Sequence, residues 1–351
     1  MSRRTIAGII AGLTALAATT GCVVDSPQGS QAGQTGDQSL TVACGAMEEV
    51  CSAWTKAFQA ETGIKTSFVR LSSGETVARL AAAKNAPEFD IWHGGPADGF
   101  GAAAKQDLID KYVSPNAAAI DAKYKDPEGS WTGVYVGALG FCSNQKVLKD
   151  LGLEVPKSWE ALLDPKLSRN VSTAHPSTSG TAFTTLWTQV TRLGGEDEGL
   201  GYMKKLHSNV LQYTKSGTAP GQVAGRGEVA VGLVFSHDCV LYHERGMSDL
   251  VVSFPAEGTG YEVGGIAIVK GGKNTAAAQK YVDWALTAKA QEIGPTVGSY
   301  QLPTAPDAKI DSRMVKLDEV KLVDYNFAKA AEAKKKLTTR FDAEVAAQPK
   351  S

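Results

Sequence analysis

Three stretches place small hydroxyl residues and a glycine where a strand or loop feeds a helix: Leu71-Ser72-Ser73-Gly74-Glu75, Ser177-Thr178-Ser179-Gly180-Thr181 and Ser216-Gly217-Thr218-Ala219-Pro220. A helix start carries unpaired backbone N–H groups and the positive end of the macrodipole, and serine or threonine adds a hydroxyl donor. Such a mouth suits an oxyanion. Capping alone needs no glycine beside it, whereas close approach of a ligand to the backbone does, so three mouths of one kind point to an anion grip. A second set of groups follows predicted strands: Trp92-His93-Gly94-Gly95-Pro96-Ala97-Asp98, then His237-Asp238 after VGLVFS, then Tyr261-Glu262. Strand ends are where open α/β sheets meet their ligands, and these side chains suit hydroxyls or an amine. Taken singly, His93 or His237 reads equally well as a hydrogen-bonded structural histidine, and Glu262 as a solvated charge.

The same residues can be tried as a catalyst. Ser143-Asn144-Gln145-Lys146 fits S-x-x-K and Lys215-Ser216-Gly217 fits K-S-G, the pieces of a penicillin-recognising serine enzyme. Ser168-Arg169-Asn170 supplies an S-x-N triplet between them, but the separation of 72 residues is short and Lys215-Ser216-Gly217 precedes a helix instead of lying on a strand. The chain also lacks a G-x-S-x-G elbow, a Walker loop, a G-x-G-x-x-G fingerprint and HExxH. The expectation is a non-enzymatic grip without a cofactor; β-lactam labelling of Ser143 is the contrary outcome.

Elements must carry these groups to one place. SLTVACG, IKTSFVRL, FDIWHGG, GALGFCSN, NVSTAHP, VAVGLVF, LVVSFPAEG and GGIAIVKG read as strands. AMEEVCSAWTKAFQAETG, SSGETVARLAAAKN, a segment around Phe100 to Gln106, SWEALLD, SGTAFTTLWTQVTRL and TAAAQKYVDWALTA read as helices, the first with Gly63 as C-cap. Alternation of this kind predicts α/β domains with mostly parallel sheets. A length of 351 residues suits two lobes. Because no interior stretch has linker composition, the backbone is expected to cross between lobes through strands, near Gly137 to Asn144 and back near Gly260 to Lys270.

The first residues have another purpose. MSRRT, the apolar run IAGIIAGLTALAA and TTGC form an export signal over 1–21, its apolar run too short for a bilayer that needs about 20 residues. Gly21-Cys22 resembles a lipoprotein cleavage box, with Thr19 where leucine is usual, so Cys22 is expected to be lipidated. Residues 22–39, rich in Gly, Ser and Gln, then form a tether spanning roughly 23 Å as a coil. The protein is thus expected outside the cytoplasm, held at the cell membrane by its N-terminal lipid. Without the signal, 34 basic residues face 37 acidic ones, which leaves no electrostatic footprint for nucleic acid. Cys44, Cys51, Cys142 and Cys239 make an even set in an exported chain. Cys44 pairing with Cys51 and Cys142 with Cys239 is favoured by their positions along the elements; four buried thiols is the alternative, and the spacing is not that of a zinc finger.

From about Leu40 to Val345, the motifs SSGETVARL, WHGGPAD, YVGALGFCSN, SWEALLDPK, HPSTSGTAF, YTKSGTAPG, GEVAVGLVFSHD, AEGTGYEVGG and VGSYQLPT resemble the bacterial ABC-importer solute-binding proteins of the ferric-iron-binding type. The resemblance implies a two-lobed, type II periplasmic-binding-protein fold, each lobe a mainly parallel sheet flanked by helices. Lobe 1 would take 40–138 plus about 266–305, and lobe 2 would take 139–265 plus about 306–345. It also implies a monomer that closes on a small solute and delivers it to a permease driven by an ATPase. Similar proteins carry ferric ion with an anion, phosphonates such as 2-aminoethylphosphonate, hexose phosphates, or thiamine and its phosphates. Ferric binders use adjacent tyrosines; here Tyr300 stands alone, and the first strand ends in Cys44-Gly45-Ala46. No metal site is therefore assigned, and a small organic phosphate or phosphonate is the expected ligand. Carried onto this chain, the resemblance implies oxyanion binding by Ser73, Gly74, Ser179, Gly180, Thr181, Ser216, Gly217 and Thr218. Trp92, Asp98, His237, Asp238 and Glu262 would read the rest of the ligand. A sensor or adhesin built on the same fold remains a third reading.

Overall fold

The computed structural model describes residues 39–349. The export signal, the Cys22 lipidation site and all but the last residue of the tether lie outside these residues. The chain opens with strand β1 (Ser39–Cys44), helix α1 (Glu48–Thr62), β2 (Lys65–Arg70), α2 (Ser73–Ala82), β3 (Ile91–Pro96) and α3 (Ala97–Lys105). Glu48 and Glu49 favour the positive start of α1, and Gly63, at φ 73°, ends it with its N–H on the Gln59 carbonyl. β1 pairs in parallel with β2 on one side and β3 on the other. Both faces of this sheet are covered: Val42 and Ile91 face Trp54, Phe58 and Tyr281, whereas Ala43 and Trp92 face Phe100 and Trp131.

After the short β4 (Ile109–Asp110), β5 (Thr132–Asn144) runs through the middle of the molecule with every residue buried. Its first half pairs with β10 (Tyr261–Val269), which itself pairs with β3; its second half, from Leu139, pairs with β8 (Val231–Phe235) and β9 (Leu250–Ser253). One strand thus belongs to two sheets. In the second sheet β8 continues in parallel to β6 (Val171–Ala174) and β6 to β7 (Val210–Thr214). Helices α4 (Gln145–Asp150), α5 (Gly180–Leu193), α6 (Glu196–His207), α7 (Ala219–Gly225) and α8 (Ser236–Glu244) connect them. The largest core lies here, around Phe141, Trp159, Phe183, Leu206 and Phe341.

The chain returns through β10 to α9 (Thr275–Ala285), α10 (Ala288–Gln291), α11 (Ile293–Thr296) and β11 (Leu302–Pro303), whose residues pair with Tyr135 and Val136 of β5. It ends in α12 (Phe327–Phe341), which packs on α3. The expected helix in SWEALLD is only a 3₁₀ turn over Glu160–Leu163. Pro165 forces Asp164 out of the helical region and stops it. Both favoured cysteine pairs form, Cys44–Cys51 and Cys142–Cys239.

Candidate functional site

A cleft opens at the C-terminal ends of β1, β2, β3 and β8, lined by Gly45, Ala46, Met47, Arg70, Gly95, Pro96 and the residues that begin α8. The three helix mouths meet across it. Gly180 packs so closely on Pro96 and Ser73 that an added methyl would lie 2.6 Å from Pro96 Cδ and 3.0 Å from Ser73 Oγ. At Gly217 an added methyl would lie 2.2 Å from Thr181 Oγ1 and 2.7 Å from Ser179 Oγ, so this glycine permits the approach of the second and third mouths. The Gly74 N–H donates to the Thr178 carbonyl at 3.0 Å, joining the first mouth to the second, and Lys215 pairs with Glu75 across the rim.

Of the expected anion residues, Ser73, Ser179, Gly180, Thr181, Gly217 and Thr218 line the cleft. The other two stand behind it: the Gly74 amide is engaged by Thr178, and the Ser216 hydroxyl accepts from Arg70 Nη2 at 3.0 Å and lies 3.0 Å from Thr218 Oγ1. Ser72 and Glu75 form a capping box at the start of α2, and Ser179 Oγ accepts from the Ala182 N–H at the start of α5.

Arg70 is the residue that the sequence reading missed. It ends β2 immediately before the first mouth and donates from Nε to the Ala46 carbonyl at 3.2 Å, from Nη1 to Ser72 Oγ at 3.3 Å and from Nη2 to Ser216 Oγ. Those bonds use three of its five N–H donors. Among the described residues this partly buried guanidinium has no ion-pair partner, so it is a fixed positive charge facing the cleft. The signal was present: FVRLSSGE puts a lone arginine at a strand end before two serines and a glycine.

The rest of the cleft lining includes His237, Asp238, Glu262, Tyr135, Ser299 and Gln301. His237 Nε2 lies 3.5 Å from Gln301 Nε2, 3.6 Å from Glu262 Oε1 and 3.8 Å from Asp238 Oδ1, and among the described residues its buried Nδ1 has no hydrogen-bond partner. Burial pulls His237 down to about 3, so the ring is neutral. Burial likewise pushes Asp238 up to about 7, against the opposing pull of Arg70, and drives Glu262 well above the usual carboxylate range, with the Asp238 and Asp98 charges adding to it. Tyr135 accepts the Gly95 N–H at 2.9 Å, and burial beside Glu262 keeps its phenol protonated. This part of the lining offers carboxyl, imidazole, phenol and amide groups, a mixture of donors and acceptors that matches hydroxyls.

Two expected headgroup residues belong to the packing instead of the cleft lining. Trp92 is buried, stacked on Phe100 at 3.9 Å, with its Nε1–H on the Gly94 carbonyl at 2.9 Å. Asp98 is buried against Lys334 of α12. An alternating strand sends neighbouring side chains to opposite faces, so Trp92 enters the core and His93 stacks on Trp54 at 3.9 Å. Ser143 is fully buried on β5, and Lys146 turns outward to Asp150 at 2.9 Å. The Tyr300 ring lies under the Arg313 guanidinium. Among the described residues no group of three His, Cys, Asp or Glu side chains has the arrangement of a metal site.

The family described as bacterial extracellular solute-binding protein matches residues 53–320. A Haemophilus influenzae protein described as uncharacterized is 40% identical over 314 residues, 87% of this chain and 90% of that one. A putative 2-aminoethylphosphonate-binding periplasmic protein of Salmonella typhimurium is 27% identical over 50% of this chain and 49% of its own length. Among solved structures, the periplasmic binding protein AfuA from Actinobacillus pleuropneumoniae, with exogenous fructose-6-phosphate bound, superposes with a TM-score of 0.86 at 39% identity, covering 89% of this chain and 99% of that one.

Proposed function

The chain belongs to the bacterial extracellular solute-binding protein family, the extracytoplasmic components of ABC importers, and from that premise we propose that it captures a phosphate ester of a polyhydroxyl compound, such as a hexose phosphate. The observation that carries this reading is Arg70, a cation with no ion-pair partner among the described residues, held by Ala46, Ser72 and Ser216 among hydroxyls and helix starts. A phosphate group there would take charge-assisted bonds from the guanidinium and from the Ser73, Ser179, Thr181 and Thr218 side chains, with the starts of α2 and α5 behind them. His237, Asp238, Glu262 and Gln301 would then face the sugar hydroxyls.

The nearby carboxyls also support a second reading, 2-aminoethylphosphonate, whose ammonium would take Asp238 and Glu262 as partners. Closure would follow the passage of β5 from one sheet to the other at Ala138 and Leu139, dividing the lobes at 138. Lipidation of Cys22 completes the proposal and is checked by the mass of the mature N-terminus.

The test is a thermal-shift panel on ligand-stripped protein, because a ligand that binds only the native state raises its melting temperature. Fructose-6-phosphate, 2-aminoethylphosphonate, inorganic phosphate, thiamine phosphate and ferric citrate form the panel. Stabilisation by fructose-6-phosphate at the lowest concentration supports the first reading. Stabilisation by 2-aminoethylphosphonate alone transfers the site to the second, and stabilisation by ferric citrate alone removes both.

A further inference from the structure

The two disulfides end beside different groups of the cleft lining, one next to the Ala46 loop and the other next to Asp238. Cys44 closes β1 and stands in register with Arg70 on β2. Between Cys44 and Cys51 run Gly45, Ala46 and Met47, all three lining the cleft. The Ala46 carbonyl that accepts the Arg70 Nε–H at 3.2 Å lies 3.6 Å from Cys51 Sγ, wedged between the sulfur and the guanidinium. This disulfide therefore fixes the loop whose carbonyl aims the arginine. Next to the second group, Cys239 follows Asp238 in the first turn of α8, and its partner Cys142 stands on β5. The same strand presents Gly137 to the His237 ring, so closely that an added methyl would lie 2.6 Å from Nδ1. Strand contact on one side and disulfide on the other hold the helix start that carries His237 and Asp238.

We propose that the two disulfides are positioning devices for separate parts of the ligand: Cys44–Cys51 for the phosphate, through Ala46 and Arg70, and Cys142–Cys239 for the hydroxyl-bearing part, through His237 and Asp238. The proposal rests on the phosphate-ester reading above. Its chemical consequence is that disulfide formation sets selectivity as well as stability. Losing the first bridge weakens any phosphate, and losing the second weakens only ligands that carry hydroxyls.

The experiment measures Kd for fructose-6-phosphate and for inorganic phosphate in the wild type, in C44A/C51A and in C142A/C239A, each shown folded by a cooperative thermal transition. Where an alanine pair does not fold, the serine pair replaces it. Loss of one well-aimed charge-assisted interaction corresponds to about a tenfold rise in Kd. C44A/C51A is expected to raise both constants about tenfold, and C142A/C239A to raise only that of fructose-6-phosphate by a similar factor. In an Arg70→Ala background the first pair should have no further effect, because the disulfide acts through the arginine. Equal shifts of both ligands by both variants, or an undiminished effect of C44A/C51A without Arg70, overturn the assignment while leaving the phosphate-ester reading intact. Wild-type protein that ignores both ligands contradicts that reading itself, and the proposal with it.

Discussion

The two ends of the cleft solve different problems. The Arg70 end, to which the proposal gives the phosphate, uses backbone starts, hydroxyls and one cation, most of them already hydrogen-bonded to one another: Arg70 to Ser72 and Ser216, Ser179 to Ala182, Gly74 to Thr178. The His237 end, to which the proposal gives the hydroxyls, gathers His237, Asp238 and Glu262 in a buried place where each is held away from its charged form. One end is prepared for charge, the other for neutral donors and acceptors. A cleft with a fixed cation at one pole and suppressed charges at the other discriminates by what each pole rejects: an uncharged sugar leaves Arg70 without a counter-ion, and a bare phosphate leaves the carboxyls without donors.

The largest difference between the poles is expected in stability. Cys142–Cys239 spans 97 residues of sequence and Cys44–Cys51 spans 7. On the loop-entropy account their removal costs about 4.7 and about 2.4 kcal/mol. Urea titration of the two alanine pairs checks this, and equal midpoints would break the comparison.

Next comes pH. Asp238 titrates at 3.8 in its ordinary state and near 7 in the folded protein, so the folded state binds its proton more tightly. Stability from this group is therefore complete below about pH 4 and is lost as pH climbs through 7. His237, pulled down to about 3, acts in the opposite direction as pH falls below 6.5, so the comparison needs a variant. Asp238→Asn should gain on the wild type between pH 4 and 8, on the order of 4 kcal/mol at most, in ligand-free melts. A pH-independent difference would mean that the carboxyl is charged throughout.

Arg70→Ala should cost about 3 kcal/mol of affinity for a phosphate ester, and Arg70→Lys should recover only part of it, because an ammonium cannot reproduce the three-way fork to Ala46, Ser72 and Ser216. Calorimetry reads both. Gly217→Ala, whose methyl would meet Thr181 Oγ1, should weaken binding by about 1–3 kcal/mol. Lys215→Ala, breaking an exposed pair with Glu75, should change affinity by less than about 1 kcal/mol; a larger loss would make the rim pair part of the grip.

The poles also differed in how far they could be read from the sequence. Helix starts follow from local rules, so SSG, TSGT and SGT were found as mouths, and Gly217 and Gly180 sit where close approach requires them. The cysteine pairs were legible from their places on strands and helices. Arg70 was overlooked because an arginine at the end of one strand meets Ser216, far along the chain, only after folding. Trp92 was placed in the cleft because its neighbours in WHGGP suggested a ligand loop; which face of β3 it takes is decided by Phe100 and by its own Nε1–H bond to Gly94. Asp98 was read as a headgroup partner because Lys334, its actual counter-ion, arrives from the last helix. Tyr135 and Gln301 lie within YVGALGFCSN and VGSYQLPT, yet neither residue type carries a local signal there, and only folding brings them into the cleft lining with Glu262 and His237.

Calorimetric titration of ligand-stripped wild-type protein with fructose-6-phosphate and, separately, with fructose tests the two-pole cleft most directly. The prediction is stoichiometric binding of the phosphate ester and no detectable heat with the free sugar. Equal affinity for the two, or no binding of the phosphate ester beside tight binding of ferric ion, would contradict it.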